Sequence, residues 1–115
     1  MTQPEKIINL YKEVGTFAEN KDKARDIRTK QILPALENNE SVILDFQDVD
    51  LTTQSFIHAL ISDVIRTKGI GILDKLYFRN CNEIIKTIIG IVVDYLQDPS
   101  MPPSSNKSLG ADFRD

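Results

Sequence analysis

Between positions 45 and 58 the chain gathers most of the side chains able to do chemistry: Asp45, Asp48, Asp50, Thr52, Thr53, Ser55 and His58. Acids at 45, 48 and 50 have something of the spacing of a calcium loop. The turn glycine and closing glutamate of an EF-hand are missing, however, and so are its flanking helices. No metal is expected. Aspartate pairs also serve acid-base catalysis, which needs a substrate pocket and a partner group of contrasting pKa. The sequence signals neither. Ser55 stands just before an apolar periodic run, where a hydroxyl caps the free N–H groups of a helix start. A phosphate there would meet the positive end of the helix dipole and would place close to two negative charges in a loop. His58 is the only histidine and Cys81 the only cysteine. A thiol becomes a nucleophile only with a base beside it, and nothing in the spacing pairs these two. His58 reads as a surface residue. Gly69-Ile70-Gly71 follows a helical run and has no Lys-Ser/Thr after it, so it is a connection and not a phosphate loop. No catalytic residue and no cofactor is expected.

The elements that must position these residues follow from periodicity. Val42 to Phe46 is an apolar run broken only by Asp45, as suits a strand covered on both faces in a parallel sheet. Gln47 to Gln54 is a polar loop. Phe56, Ile57, Leu60, Ile61, Val64 and Ile65 then repeat at helical spacing, so a second helix is expected from at or near Ser55 to Lys68. Upstream, Glu5 to Tyr11 reads as a first strand and Val14-Gly15-Thr16 as a turn. Lys21 to Glu37 reads as the first helix, with Asn20 as a partial cap. Pro34 removes a backbone donor and crowds the carbonyl four residues back, so a kink or break is expected near Thr29 to Leu33. Lys75 to Arg79 reads as a third strand. A third helix follows from about Asn82 to Leu96, capped by Asn80 or Asn82 and apolar nearly all round. Gly90 in its middle points to a close helix-on-sheet contact. Residues 1–96 therefore form one α/β domain. From Gln97 the chain is rich in Pro and Ser and cannot build a core of its own; Leu109 and Phe113 are its two apolar anchors.

A length of 115 residues fits one modest core. The net charge of −3 argues against binding nucleic acid through bulk charge. Lys21, Lys23, Arg25, Arg28 and Lys30 form a local basic run, but Asp22 and Asp26 interrupt it, and it reads as a solvated helix face. No apolar run is long enough to span a membrane, and the N-terminus lacks a signal pattern. With the lone cysteine, a cytoplasmic protein is expected, with neither nucleic acid nor membrane as partner.

The segment VILDFQDVDLTTQSFIHALISDVI resembles the STAS-like family of small bacterial proteins of unknown function, which are similar to the STAS domains of anti-sigma-factor antagonists. The resemblance is carried by the strand ending in Asp45-Phe46, by Val49, by the Thr-Thr-x-Ser-Phe run ending at Phe56, and by Arg25 and Ile27 in the upstream helix. The strand Leu76 to Phe78 and Asn80-x-Asn82 extend it over roughly Ile7 to Leu96. The resemblance implies a small STAS-like α/β sheet of three or four strands, with about three helices mainly on one face. It further implies a non-enzymatic regulatory module whose partner is a protein of the kinase-like ATPase or regulator type. In the antagonists a phosphorylated Ser followed by Gly begins the helix after the central strand; here these positions hold Ser55 and Phe56. The family's acid near position 59 is replaced by Ala59. The contact surface expected on this reading is Asp48, Asp50, Thr52, Thr53, Gln54, Ser55 and Phe56. The acidic group Asp45, Asp48 and Asp50 fits a second reading, an immunity protein or antitoxin steered onto a basic toxin.

Overall fold

The structure, a computed structural model, describes residues 4–97 and 113–114. The main sheet is built from β1 (Glu5–Asn9), β3 (Ser41–Asp45), β5 (Leu76–Arg79) and β6 (Phe113–Arg114), all pairings parallel, in the order β1-β3-β5-β6. The central strand β3 is buried along its whole length, which explains its nearly unbroken apolar sequence. In register, Ile8, Leu44 and Phe78 form one row across the sheet, and Val42 and Leu76 form the next. These five side chains point into the main core, which the helices complete. On the opposite face Ile7 is 51 % exposed.

A strand to Tyr11 was expected, but β1 stops at Asn9. Its side chain accepts a hydrogen bond from the Lys12 amide at 3.0 Å and starts the short helix α1 (Leu10–Val14). The Val14-Gly15-Thr16 turn is present, with Gly15 at φ 81°. The next helical stretch covers the span expected for one helix, as three segments: α2 (Lys21–Ile27), a π-helical turn (Arg28–Ile32) and α3 (Leu33–Glu37). Asn20 caps it, accepting from Asp22 and Lys23. Pro34 does not break the helix. The backbone widens instead, and the Leu33 amide reaches back to the Arg28 carbonyl, so the proline ring and its missing donor are accommodated by a wider turn. Arg28 anchors this turn to the next helix, donating to the Ala59 carbonyl at 2.8 Å and pairing with Asp63 at 3.2 Å.

After β3 come β4 (Leu51–Thr52), α4 (Gln54–Lys68), a 3-10 turn (Ile70–Lys75), β5 and α5 (Glu83–Gln97). The connection expected at Gly69–Gly71 leads into a 3-10 turn, with Gly69 at φ 86° ending α4. Asn82 caps α5 by accepting from the Ile85 amide at 2.9 Å. Gly90 is buried. The two-stranded parallel ribbon of β2 (Phe17–Ala18) and β4, which pairs Phe17 with Leu51 and Ala18 with Thr52, was not expected from the sequence. Of the Pro/Ser-rich tail expected from Gln97, residues 98–112 and 115 lie outside the described residues, and Leu109 with them.

Leu44 sits at the middle of the buried row and is 0 % exposed. Leu44→Ala should lower the free energy of unfolding by about 2–5 kcal/mol, read from urea denaturation.

Candidate functional site

The loop from Gln47 to Thr53 leaves the carboxyl end of the central strand, where open α/β sheets place their sites. Asp45 fixes its start. One of its oxygens accepts from the Gln47 amide at 3.0 Å and from Asn80 Nδ2 at 2.9 Å, and the other lies 3.4 Å from Arg79 Nη2. Partial burial alone would raise the pKa of this carboxyl. The bonds from Asn80, the Gln47 amide and Arg79 outweigh that effect and hold it below the ordinary aspartate value. Asp45 is therefore a structural anchor and is removed from the acidic surface expected at the loop. A turn follows, closed by the Val49 amide on the Phe46 carbonyl at 3.0 Å. Within it Asp48 takes a left-handed conformation, φ 71°, one that Asp tolerates better than most residues. Asp48 and Asp50 are both exposed. Among the described residues no three metal-ligating side chains come together.

The second half of the loop is pinned by the β2–β4 ribbon. The Asp50 and Leu51 amides donate to the Thr16 carbonyl at 2.8 and 3.2 Å, and the Thr53 amide donates to the Ala18 carbonyl at 3.2 Å. Asn82 Nδ2 holds the Asp50 carbonyl at 2.9 Å. Two of the expected contact residues are corrected here. Thr52 is 6 % exposed, because its hydroxyl turns inward to donate to the Ala18 carbonyl at 2.8 Å. Phe56 is 0 % exposed, because its ring belongs to the apolar face of α4. Neither can meet a partner on this surface.

The start of α4 also differs from expectation. Thr53, not Ser55, is the N-cap: its Oγ1 accepts from the Phe56 amide at 3.0 Å. Ser55 lies inside the first turn and is exposed. Among the described residues its hydroxyl has no hydrogen-bond partner. A cleft of about 430 Å³ opens beside it, lined by Lys21 from α2, Gln54, Ser55, His58 and Ala59 from α4, and Ile91, Val92 and Tyr95 from α5. The cleft was not foreseen in the sequence, because its walls come from three helices far apart in the chain. The mixed character of α5, apolar beyond what one buried face needs, was the available signal. His58 is brought beside Ser55, one helical turn on. Cys81 is buried elsewhere, its thiol 3.9 Å from the Arg79 carbonyl, and it does not line the cleft.

The model of a STAS-like domain of unknown function (DUF4325) matches residues 23–86. The chain belongs to this family. None of the curated proteins and none of the solved structures compared with it matches. Within the STAS-like match lie the central strand, the Asp45 anchor, the loop and all of α4. Lys21, Ile91, Val92 and Tyr95, which complete the cleft, lie outside it. No helix among the described residues is long and apolar enough to cross a membrane.

Two measurements check this geometry. Thr53→Ala should cost about 1 kcal/mol of stability, whereas Ser55→Ala should change it by less than about 0.5 kcal/mol; urea titration separates them. Asp45 titrates below its ordinary value of about 3.9 when folded. Its contribution is thus full above that value and is lost as pH falls through it toward the lower folded pKa. Asp45→Asn should lower stability at pH 7 by about 1–3 kcal/mol. It should also flatten the loss of stability in acid, measured by denaturation at a series of pH values.

Proposed function

We propose that this STAS-like protein is a non-enzymatic interaction module that binds a regulatory protein through the loop ahead of α4, and that negative charge placed on Ser55 switches the contact. The observation that carries this reading is the division of labour between Thr53 and Ser55. Thr53 caps the helix, so the Ser55 hydroxyl is exposed at the rim of a cleft and free for modification. Asp48, Asp50, Thr53 and Gln54 supply the rest of the surface. With the ring of Phe56 turned into the core, the approach to Ser55 is open although the glycine of the antagonists is absent.

The switch has a simple electrostatic basis. A phosphate on Ser55 adds roughly 1.5–2 negative charges beside a cleft whose lining contains Lys21 and His58 and no acid. It sits in the first turn of α4, where the helix dipole favours it. A partner that meets a neutral hydroxyl and a cationic rim would meet an anionic one after modification. A kinase-like ATPase or regulator is the partner class that the likeness to the antagonists supports; fold analogy is the warrant for it.

The exposed pair Asp48 and Asp50 favours the second reading, neutralisation of a basic toxin. One experiment decides between them: affinity capture from the native host with tagged wild type beside Ser55→Glu, followed by mass spectrometry of the captured proteins and of Ser55. An ATPase or regulator depleted at least about tenfold in the Ser55→Glu lane, equivalent to about 1.4 kcal/mol, or phosphate found on Ser55, is the expected result. A basic toxin-like protein held equally by both lanes would overturn the switch.

A further inference from the structure

Helix α5 carries more apolar surface than the described residues cover. Ile85, Ile89, Val92 and Val93 are buried against the rest of the core. Beside that face runs a second row, Ile84, Ile88, Ile91 and Tyr95. Ile84 is 52 % and Tyr95 40 % exposed, and Ile88 and Ile91 are half-buried. The spacing is four, three and four residues, the 3.5-residue repeat that forms the seam between two helices, with β-branched residues at most of its positions. The row spans three turns, about 16 Å at the α-helical rise. A contiguous apolar row of this kind on a small acidic protein marks an interaction surface.

The charges on either side of the row say what fits it. On the side toward α4 lies the cleft, with Lys21 and His58 in its lining and no acid. Neither Lys21 nor His58 forms an ion pair among the described residues. On the opposite side, Glu83, Thr87 and Asp94 share one edge of the helix by their spacing. The surface therefore carries the cation Lys21, an apolar row and an acidic edge in parallel stripes, and such a surface complements itself. A two-fold axis running along the helix direction brings α5 of a second copy face to face and parallel. It lays the acidic edge of each copy over the cationic edge of the other. Antiparallel pairing would set like beside like.

We propose that the protein forms a two-fold homodimer through a parallel α5–α5 seam, with Ile84, Ile88, Ile91 and Tyr95 at its centre and Lys21 of each copy opposite Asp94 of the other. The inference stands apart from the function proposed above, because it requires neither modification of Ser55 nor any other protein. It does place the seam against the same cleft, so a phosphate on Ser55 would sit beside the Lys21 that the second copy's Asp94 approaches.

The test is sedimentation equilibrium of the purified full chain over a wide concentration range. Wild type should be dimeric. Ile88→Asp, and separately Ile84→Lys at a more exposed position, should raise the dissociation constant at least about tenfold while circular dichroism shows both variants folded. Lys21→Glu should weaken the dimer, and Lys21→Glu combined with Asp94→Lys should restore it. Under mild oxidation Ile84→Cys should cross-link to its own counterpart, with wild type, whose Cys81 is buried, as the control. A monomeric wild type, or a dimer indifferent to both Ile88→Asp and Ile84→Lys, would overturn the proposal. Cross-linking of an Ile84→Cys, Tyr95→Cys double variant but not of Ile84→Cys alone would overturn the parallel arrangement.

Discussion

The carboxylate of Asp45 closes the top of the central strand, and the surface around the cleft depends on it. Burying a charge there is costly unless it is fully hydrogen-bonded, and this one is bonded to partners that matter. The Gln47 amide sets the first step of the loop toward α4. Asn80, held at φ 59°, sets the first step of the turn toward α5. Arg79 joins the two strands at the same level. The exits of β3 and β5 are thus locked to each other, and α4 and α5, two of the three helices that wall the cleft, start from fixed points. An acid in an otherwise apolar strand looks like a candidate for chemistry. Here it gives up its reactivity to hold geometry.

That fixed frame lets short, polar loops behave as rigid parts. The β2–β4 ribbon has two residues in each strand, yet it pins the loop through three backbone hydrogen bonds and the buried hydroxyl of Thr52. The hydroxyls near the helix start are consequently sorted by role. Thr52 faces inward, Thr53 caps, and Ser55 faces solvent. A cluster of similar residue types therefore leaves one hydroxyl, that of Ser55, exposed.

Much of this frame was legible in the sequence. The strand Val42 to Phe46 and the apolar repeat of α4 announced themselves through hydrophobic period, and the STAS-like likeness through the ordered residues between them. Pro34 marked the irregular place in the first long helix. That the chain would widen into a π turn and not break was not legible, because the choice depends on Arg28 finding Ala59 and Asp63. The ribbon was invisible because two residues cannot display a period. The capping role passed from Ser55 to Thr53 because both are good caps by type, and only backbone angles distinguish them. Thr52 and Phe56 entered the expected surface because a loop residue and a helix-start residue read as exposed until their partners are known. The helix-capping competition between Asn80 and Asn82 was settled in the same way, by Asn80 being occupied with Asp45.

The parallel register has a consequence for how the chain acquires this structure. Paired strands of the main sheet lie far apart in the chain: Glu5 must find Ser41, and Val42 must find Leu76. Each ladder begins only after a long loop has closed, and that entropy is lost before any strand pairing compensates it. As the chain leaves the ribosome, β3 must wait for β5 with one of its edges unmatched. Its run of branched apolar residues is then the segment most exposed to wrong pairing. The intervening helix α4, amphipathic and held by local backbone hydrogen bonds, is the element best placed to shield β3 during that interval.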